Sequence, residues 1–412
     1  MKPLPCFLLL APFLHAGSEP DAFASVSTSN QSAIPSWLTP SLDLRTRYEF
    51  RDQEGLDPSH AFTVRARVGL LLGDFHGFST FAELEATGAV VNDYNAGAGA
   101  SPKDDSNTTI SDPENSELNR AWVQYHQDDL TLKLGRQRII RNNAAFIGNV
   151  GWRQNEQTFD AATLSYHSDC YHFDYSYSDR AQRIFGRDAS SFGEEMEGAF
   201  HFIDLSTQVY DSTLGTYAYL LDVDNNGGAA SKVGESNTFG AFYDTGALRL
   251  EGAWQDGSSD LVSGGDYDAL YAHLTYKHKL GNTTLTGGVE YLEEYFKTPF
   301  ATGHAFNGIA DVMVGPRLGT TDLGGRYEGL TDLYLATATP GLPADITLKT
   351  GLHYFGDDSL GETYGYELDV ILSKKINEHL STVVTASRFL EDDGPGGFGD
   401  VTQTTIGLTA KW

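Results

Sequence analysis

The chain has 412 residues and a formal net charge of -28, with Tyr (21), Phe (23) and Gly (44) plentiful and Met (3) and Cys (2) scarce. An excess of acid on this scale argues against nucleic acid or anionic surfaces as general partners, because the long-range field repels both. Beyond the N-terminus no run of roughly 18 or more apolar residues occurs, which excludes a helical membrane protein.

Lys2, the apolar run Cys6–Leu14 and Ala22-Phe23-Ala24 have the layout of a secretory signal peptide. Residues 1–24 are therefore expected to be a signal peptide, with Leu14-His15-Ala16 as a second candidate cleavage site, and residues 25–40 a periplasmic N-terminal segment. Pro5 stands where a lipobox needs a small residue, so Cys6 is not expected to carry lipid. Cys170 is then the one cysteine left, and no intramolecular disulfide can form.

From Leu42 onward the sequence alternates with period two. Leu42, Leu44, Thr46, Tyr48 and Phe50 interleave with Asp43, Arg45, Arg47, Glu49 and Arg51; Phe62, Val64, Ala66, Val68 and Leu70 interleave with Thr63, Arg65, Arg67 and Gly69. Segments of about ten residues with one apolar and one polar face suit tilted membrane-crossing strands. In hydrocarbon only a closed barrel of such strands satisfies every backbone N–H and C=O.

Continuing along the chain, about eighteen strands are predicted, starting near residues 42, 60, 76, 117, 129, 157, 170, 198, 212, 236, 246, 266, 282, 324, 342, 362, 378 and 401. Tight turns are expected at 73–77, 127–128, 167–169, before Ser212, and at 244–246, 280–282, 340–343 and 377–378. Long loops are expected at 88–116, 179–197, 224–235, 295–323 and 391–400. The fold class is thus an all-β transmembrane antiparallel barrel over residues 41–412, with short periplasmic turns and long outer loops. Its last strand ends in Trp412, with Ile406, Leu408 and Ala410 on the same face.

Alternation also sorts the lumen. Arg45, Arg47, Arg51, Arg65 and Arg67 point inward on neighbouring strands, with Arg120 beside Trp122 and Gln124. A guanidinium binds carboxylate through two parallel hydrogen bonds and keeps its charge at any relevant pH, so such a strip suits an anion path. Glu83 and Glu85 face it from the third strand, and wall salt bridges that neutralise the strip are the competing reading.

Later strands place Glu251, Glu290, Glu328, Asp332, Glu367 and Asp369 inward, among Arg249, Lys277, Arg326 and Lys349. A lumen so divided implies a field across the pore and suits a selective small-solute porin as well as a polyanion duct. Strict alternation from Leu130, Leu132 and Leu134 would aim Arg136 and Arg138 at lipid. Either Gly135 carries a bulge or the strand has reached the outer rim there. Residues 139–156 lack alternation; they form either a constriction loop bringing Arg141, Trp152 and Arg153 to the pore or an ordinary outer loop.

Leu44-Arg45-Thr46-Arg47-Tyr48-Glu49, Lys133-Leu134-Gly135-Arg136-Gln137-Arg138, and Asn149-Val150-Gly151-Trp152-Arg153-Gln154-Asn155-Glu156 with Thr158-Phe159-Asp160 resemble the alginate-export family of outer-membrane proteins. The resemblance implies an eighteen-stranded barrel with an arginine-lined lumen that passes anionic polysaccharide with the help of periplasmic partners. The acid-rich later lumen departs from that pattern and keeps a small-solute porin as the alternative.

No G-x-S-x-G occurs, and no Ser/His/Asp set is singled out by spacing, so a barrel enzyme is disfavoured, as is a loop-based adhesin. His172, His201 and His273 are expected to be ordinary wall residues. Asp222-Val223-Asp224-Asn225-Asn226-Gly227 begins like a calcium loop, but Val233 stands where the bidentate Glu belongs. No metal or cofactor is expected. The acidic stretches Asp104-Asp105 and Glu391–Asp393 read as solvated loop tips, with cation bridging to lipopolysaccharide as the sharper alternative. The sequence therefore points to an outer-membrane channel for hydrophilic solutes, in contact with lipid and lipopolysaccharide.

Overall fold

A computed structural model describes residues 35, 37–224, 233–260, 265–318, 328–392 and 397–412. The expected signal peptide, Arg326 and the core of the calcium-like stretch lie outside the described residues.

The alternating segments form eighteen antiparallel strands: β1 (Leu38–Gln53), β2 (Ser59–Phe75), β3 (Phe78–Asp93), β4 (Asn115–Gln127), β5 (Leu130–Gln137), β6 (Thr158–His167), β7 (Tyr171–Gln182), β8 (Glu195–Val209) and β9 (Ser212–Val223) in the first half. The second half contributes β10 (Glu235–Asp244), β11 (Leu248–Ser258), β12 (Asp266–Leu280), β13 (Thr283–Leu292), β14 (Leu330–Leu342), β15 (Ile346–Gly356), β16 (Thr363–Lys375), β17 (Leu380–Glu391) and β18 (Val401–Lys411). Each strand pairs with its sequence neighbours. The sheet closes because β1 pairs with both β2 and β18, Tyr48 lying opposite Phe62 on one side and Ile406 on the other. Closure leaves no sheet edge to face lipid.

The faces sort as the alternation predicts. On β1 and β2, Leu44, Val64 and Val68 are exposed on the outside, while Arg47, Glu49, Arg51, Arg65 and Arg67 are buried within. Connections alternate in length: two residues at 76–77, 128–129, 210–211 and 281–282 on one side, and 94–114, 138–157, 183–194 and 293–329 on the other. Short turns face the periplasm in such barrels, which places Leu38 at the start of β1 and Lys411 at the end of β18 on that side.

The largest boundary error concerns β14. Expected near residue 324, it starts at Leu330, so Glu328 precedes the strand and is exposed instead of lining the wall. Pro343 opens a short 3-10 turn, Pro343–Asp345, which moves the start of β15 to Ile346. Pro has no N–H to give the ladder.

Candidate functional site

Two long loops fold into the barrel. Residues 138–157 turn inward and meet residues 293–318 at an isolated bridge between Ile147 and Phe300. Together they cover the inward face through the outer half of the barrel on all sides: Arg47, Arg65, Phe202, Tyr219, Gln255, Tyr271, Glu290, Asp332, Glu367, Ser387 and Thr405 are all buried. Inward residues nearer the periplasm, among them Asp43, Arg45, Asp204, Lys277 and Lys349, are partly exposed and line a vestibule.

The first loop docks on the basic wall through its backbone. Arg45 Nη1 donates to the carbonyls of Gly151 (3.1 Å), Trp152 (3.2 Å) and Arg153 (3.2 Å). Arg47 Nη2 donates to the Trp152 carbonyl, and its guanidinium lies over the Trp152 ring at 4.5 Å. Arg65 and Arg67 each donate to the Gln154 carbonyl at 3.3 Å. Oriented carbonyls satisfy buried guanidinium N–H groups that water cannot reach.

Acids complete the wall. Asp43 pairs with Arg65 at 2.5 Å, Glu85 with Arg67, and Glu83 with Arg120 at 2.9 Å. Arg45 and Arg65 lie directly opposite on adjacent strands, so Asp43 relieves a like-charge contact. A bulge on β4 turns Asn119 and Arg120 inward together, and Asn119 Nδ2 joins Glu83 to Glu156 at 2.8 Å from each. Glu83 and Glu85 are thus wall partners of Arg120 and Arg67, while Arg45 is hydrogen-bonded to backbone carbonyls.

The loops supply their own buried acids. Burial alone would raise the Glu156 carboxyl, but Arg138, Arg67 and Arg120 hold it well below the usual range. Burial also opposes ionisation of Asp112, from the loop 94–114, and Arg47 and Arg153 lower it in the same way. Arg153 reaches Glu49 at 3.0 Å and Asp311 of the second loop at 2.6 Å. His304 accompanies Arg153 in keeping Asp311 below the carboxylate range against its burial.

The second loop docks on the acidic wall. Glu290 receives Arg317 and Asn307 at 2.7 Å each, and Asp332 receives Asn307 at 3.1 Å. Glu367 accepts from the Ala310 N–H at 2.7 Å, and Asp369 from the Ile309 N–H at 3.4 Å. The division of charge between early and late strands, expected to set a field across an open pore, is in this structure the complement of the two loops. Beside their junction a cavity of about 270 Å³ opens between Trp152, His304, Lys349, His353 and Asp369.

A third wall was not anticipated. Phe146 inserts among Tyr217, Tyr271 and Phe296 with ring centroids 5.0–5.9 Å away, and Phe300 packs on Phe159, Phe200 and Phe202. Arg141 does not join the basic strip; it crosses to Asp204 at 3.1 Å and Ser176 at 2.6 Å.

Arg136 stays on the outward face with Leu134, one residue before β5 ends, paired with Asp160 at 2.7 Å. Pairing of β5 with both neighbours is unbroken, so the rim explanation holds and no bulge at Gly135 shifts the register. Arg138, past the strand end, turns in to Glu156. His201 faces outward between Tyr175 and Tyr177, whereas His273 is inward, 2.9 Å from the Tyr334 hydroxyl. Among the described residues no cluster of His, Cys, Asp and Glu suited to a metal occurs.

Comparison with solved structures places this fold among outer-membrane barrels. OpdO of Pseudomonas aeruginosa superposes with a TM-score of 0.64 at 14% identity, covering 91% of this chain and 97% of that one. OccAB4 of Acinetobacter baumannii gives 0.63 at 12% identity over 90% and 97%. OpdK of Pseudomonas aeruginosa, solved with vanillate, gives 0.61 at 11% identity over 91% and 98%. Among curated proteins no relative matches. The family described as alginate export matches residues 36–283, more than half of the 412-residue chain. The protein is an outer-membrane β-barrel channel and belongs to the alginate-export family.

Proposed function

We propose that this protein passes small hydrophilic solutes through a constricted lumen of mixed charge, and that Arg45, Arg47, Arg65 and Arg67 are its anion contacts. The observation that carries this reading is the pair of inward loops burying the wall around the outer half of the barrel. A polysaccharide chain needs a continuous duct; a small solute needs only a gap beside or between the loops. Trp152 and Arg153 stand at the junction of the two loops, and Arg141 on their periplasmic side, as the constriction. OpdK, of the same fold, was solved with vanillate, a small aromatic carboxylate.

Swelling of liposomes loaded with the full chain tests the reading. Galacturonate and other monosaccharide-sized solutes should enter, and an oligouronate of about ten units should not. Entry of the oligomer at the rate of the monomer would sink it. The family match favours a second reading, export of acidic polysaccharide, in which both loops leave the lumen during passage and periplasmic partners assist. Residues 1–24 as a signal peptide, followed by a periplasmic lead-in that ends before β1 at Leu38 and not at the expected Pro40, complete either reading.

A further inference from the structure

We propose that the segment Gly151–Gln154 is an internal occupant of the arginine face, and that anions arriving from the vestibule release the inward loop by competing for those guanidiniums. The inference rests on the channel reading above and concerns how its anion contacts are regulated.

The four arginines are not equivalent. Arg47 has Asp112, Arg65 has Asp43, and Arg67 has Glu85 and Glu156 as ion-pair partners. Arg45 has none within 4.0 Å among the described residues; its hydrogen bonds run to the carbonyls of Gly151, Trp152 and Arg153, all from Nη1. It is also partly exposed where the other three are buried, so of the four it is the one a solute can reach from the vestibule. The charged groups that act on it most strongly are Arg65, Arg47, Asp43 and Arg67, and Asp43 is itself paired with Arg65.

A carbonyl is a neutral acceptor with one oxygen. A carboxylate, sulfate or phosphate is charged and offers two oxygens to the planar fork, which makes the hydrogen bonds shorter and roughly twice as strong. An anion at Arg45 therefore displaces three carbonyls of consecutive residues at once. The same segment gives carbonyl oxygens to Arg47, Arg65 and Arg67, so untying it at Arg45 loosens its hold on the other three guanidiniums as well. The chemistry selects a compact anion with paired oxygens and not a particular sugar.

The test uses the full chain in planar bilayers, with galacturonate or galactose added on the periplasmic side. Galacturonate should raise the open probability about tenfold over galactose, since a ligand shifts a two-state equilibrium only by its ratio of affinities for the two states. Arg45→Gln, checked for folding by the heat-modifiable mobility of an intact barrel, should open to the same extent with either sugar. A wild type that responds equally to both, or an Arg45→Gln variant that keeps the anion response, overturns the proposal. A third chain, with residues 141–153 replaced by a short Gly-Ser link, separates the two claims. If it conducts while the wild type ignores anions, only this inference fails; if it does not conduct, the channel reading fails with it.

Discussion

Trp152 of the first inward loop stacks on His304 of the second, with ring centroids 4.4 Å apart and planes 7° from parallel. With the Arg153–Asp311 ion pair on the neighbouring residue, this stack couples two loops anchored on opposite walls. Aromatic contacts of this kind are worth about 0.5–1.5 kcal/mol beyond the area they bury. Trp152→Ala should therefore raise the open probability in bilayers by about 2- to 10-fold without altering barrel assembly. Unchanged gating would show that the loops are held independently.

Arg67 and Arg136 are both strand arginines paired with acids, and their environments predict opposite sensitivities. Arg67 is buried between Glu85 and Glu156, so Arg67→Ala leaves the Glu85 carboxylate without its ion-pair partner in a site that excludes water, while Glu156 keeps Arg138. Breaking such a pair costs about 3–5 kcal/mol. Arg136 sits at the rim opposite Asp160, where both side chains are partly exposed. Its loss should cost under about 1 kcal/mol. Urea midpoints of the two variants check the ranking, and an equal effect would mean that the lumen contacts are as solvated as the rim.

The barrel itself was legible because period two is imposed strand by strand: a face that meets lipid must be apolar, and the other is free to be ionic. The boundaries failed where that rule lapses. Residues 319–327 offer no alternation, so the start of β14 was placed early and Glu328 was assigned to a wall it does not reach.

The site was only partly legible, for a related reason. Arg45, Arg47, Arg65 and Arg67 were found from their face alone, but nothing in local sequence says that their partners are carbonyls more than eighty residues away. The aromatic wall escaped notice because Tyr217, Tyr219 and Tyr271 alternate with Ala218, Leu220 and Leu270. Both faces are then apolar and period two carries no contrast. The one available signal was Phe146, an isolated aromatic in a polar loop, which needs a greasy socket somewhere.

Acid should loosen the inward loops. Asp112, Glu156 and Asp311 all ionise below the usual range when the loops are docked, because arginines or His304 face them. An undocked carboxylate titrates near pH 4, so the released state binds more protons below that point. The stabilisation is therefore fully present above about pH 4 and is lost as the pH falls through the docked values. Open probability should rise on moving from pH 5 to pH 3, and Asp311→Asn should blunt that rise. A response identical to wild type in this variant would assign the acid sensitivity elsewhere.

Lys297 predicts a change of the opposite origin at alkaline pH. Its side chain is buried in the second loop, 3.3 Å from the Val233 carbonyl and 5.0 Å from the centre of the Tyr267 ring, and burial pulls its ammonium down to about 7. Exposed, the same group titrates near 10.4. Between those values the released loop binds more protons than the docked one, so docking strengthens as the pH rises from about 7 towards 10, by at most tenfold per pH unit for one proton. Below pH 7 the ammonium is charged in both states and the cost of burying it is complete. Lys297→Met keeps the stem and removes the charge. Wild-type open probability should fall between pH 7 and pH 9.5 while that of Lys297→Met stays level, and a parallel fall in both would exclude Lys297 as the titrating group.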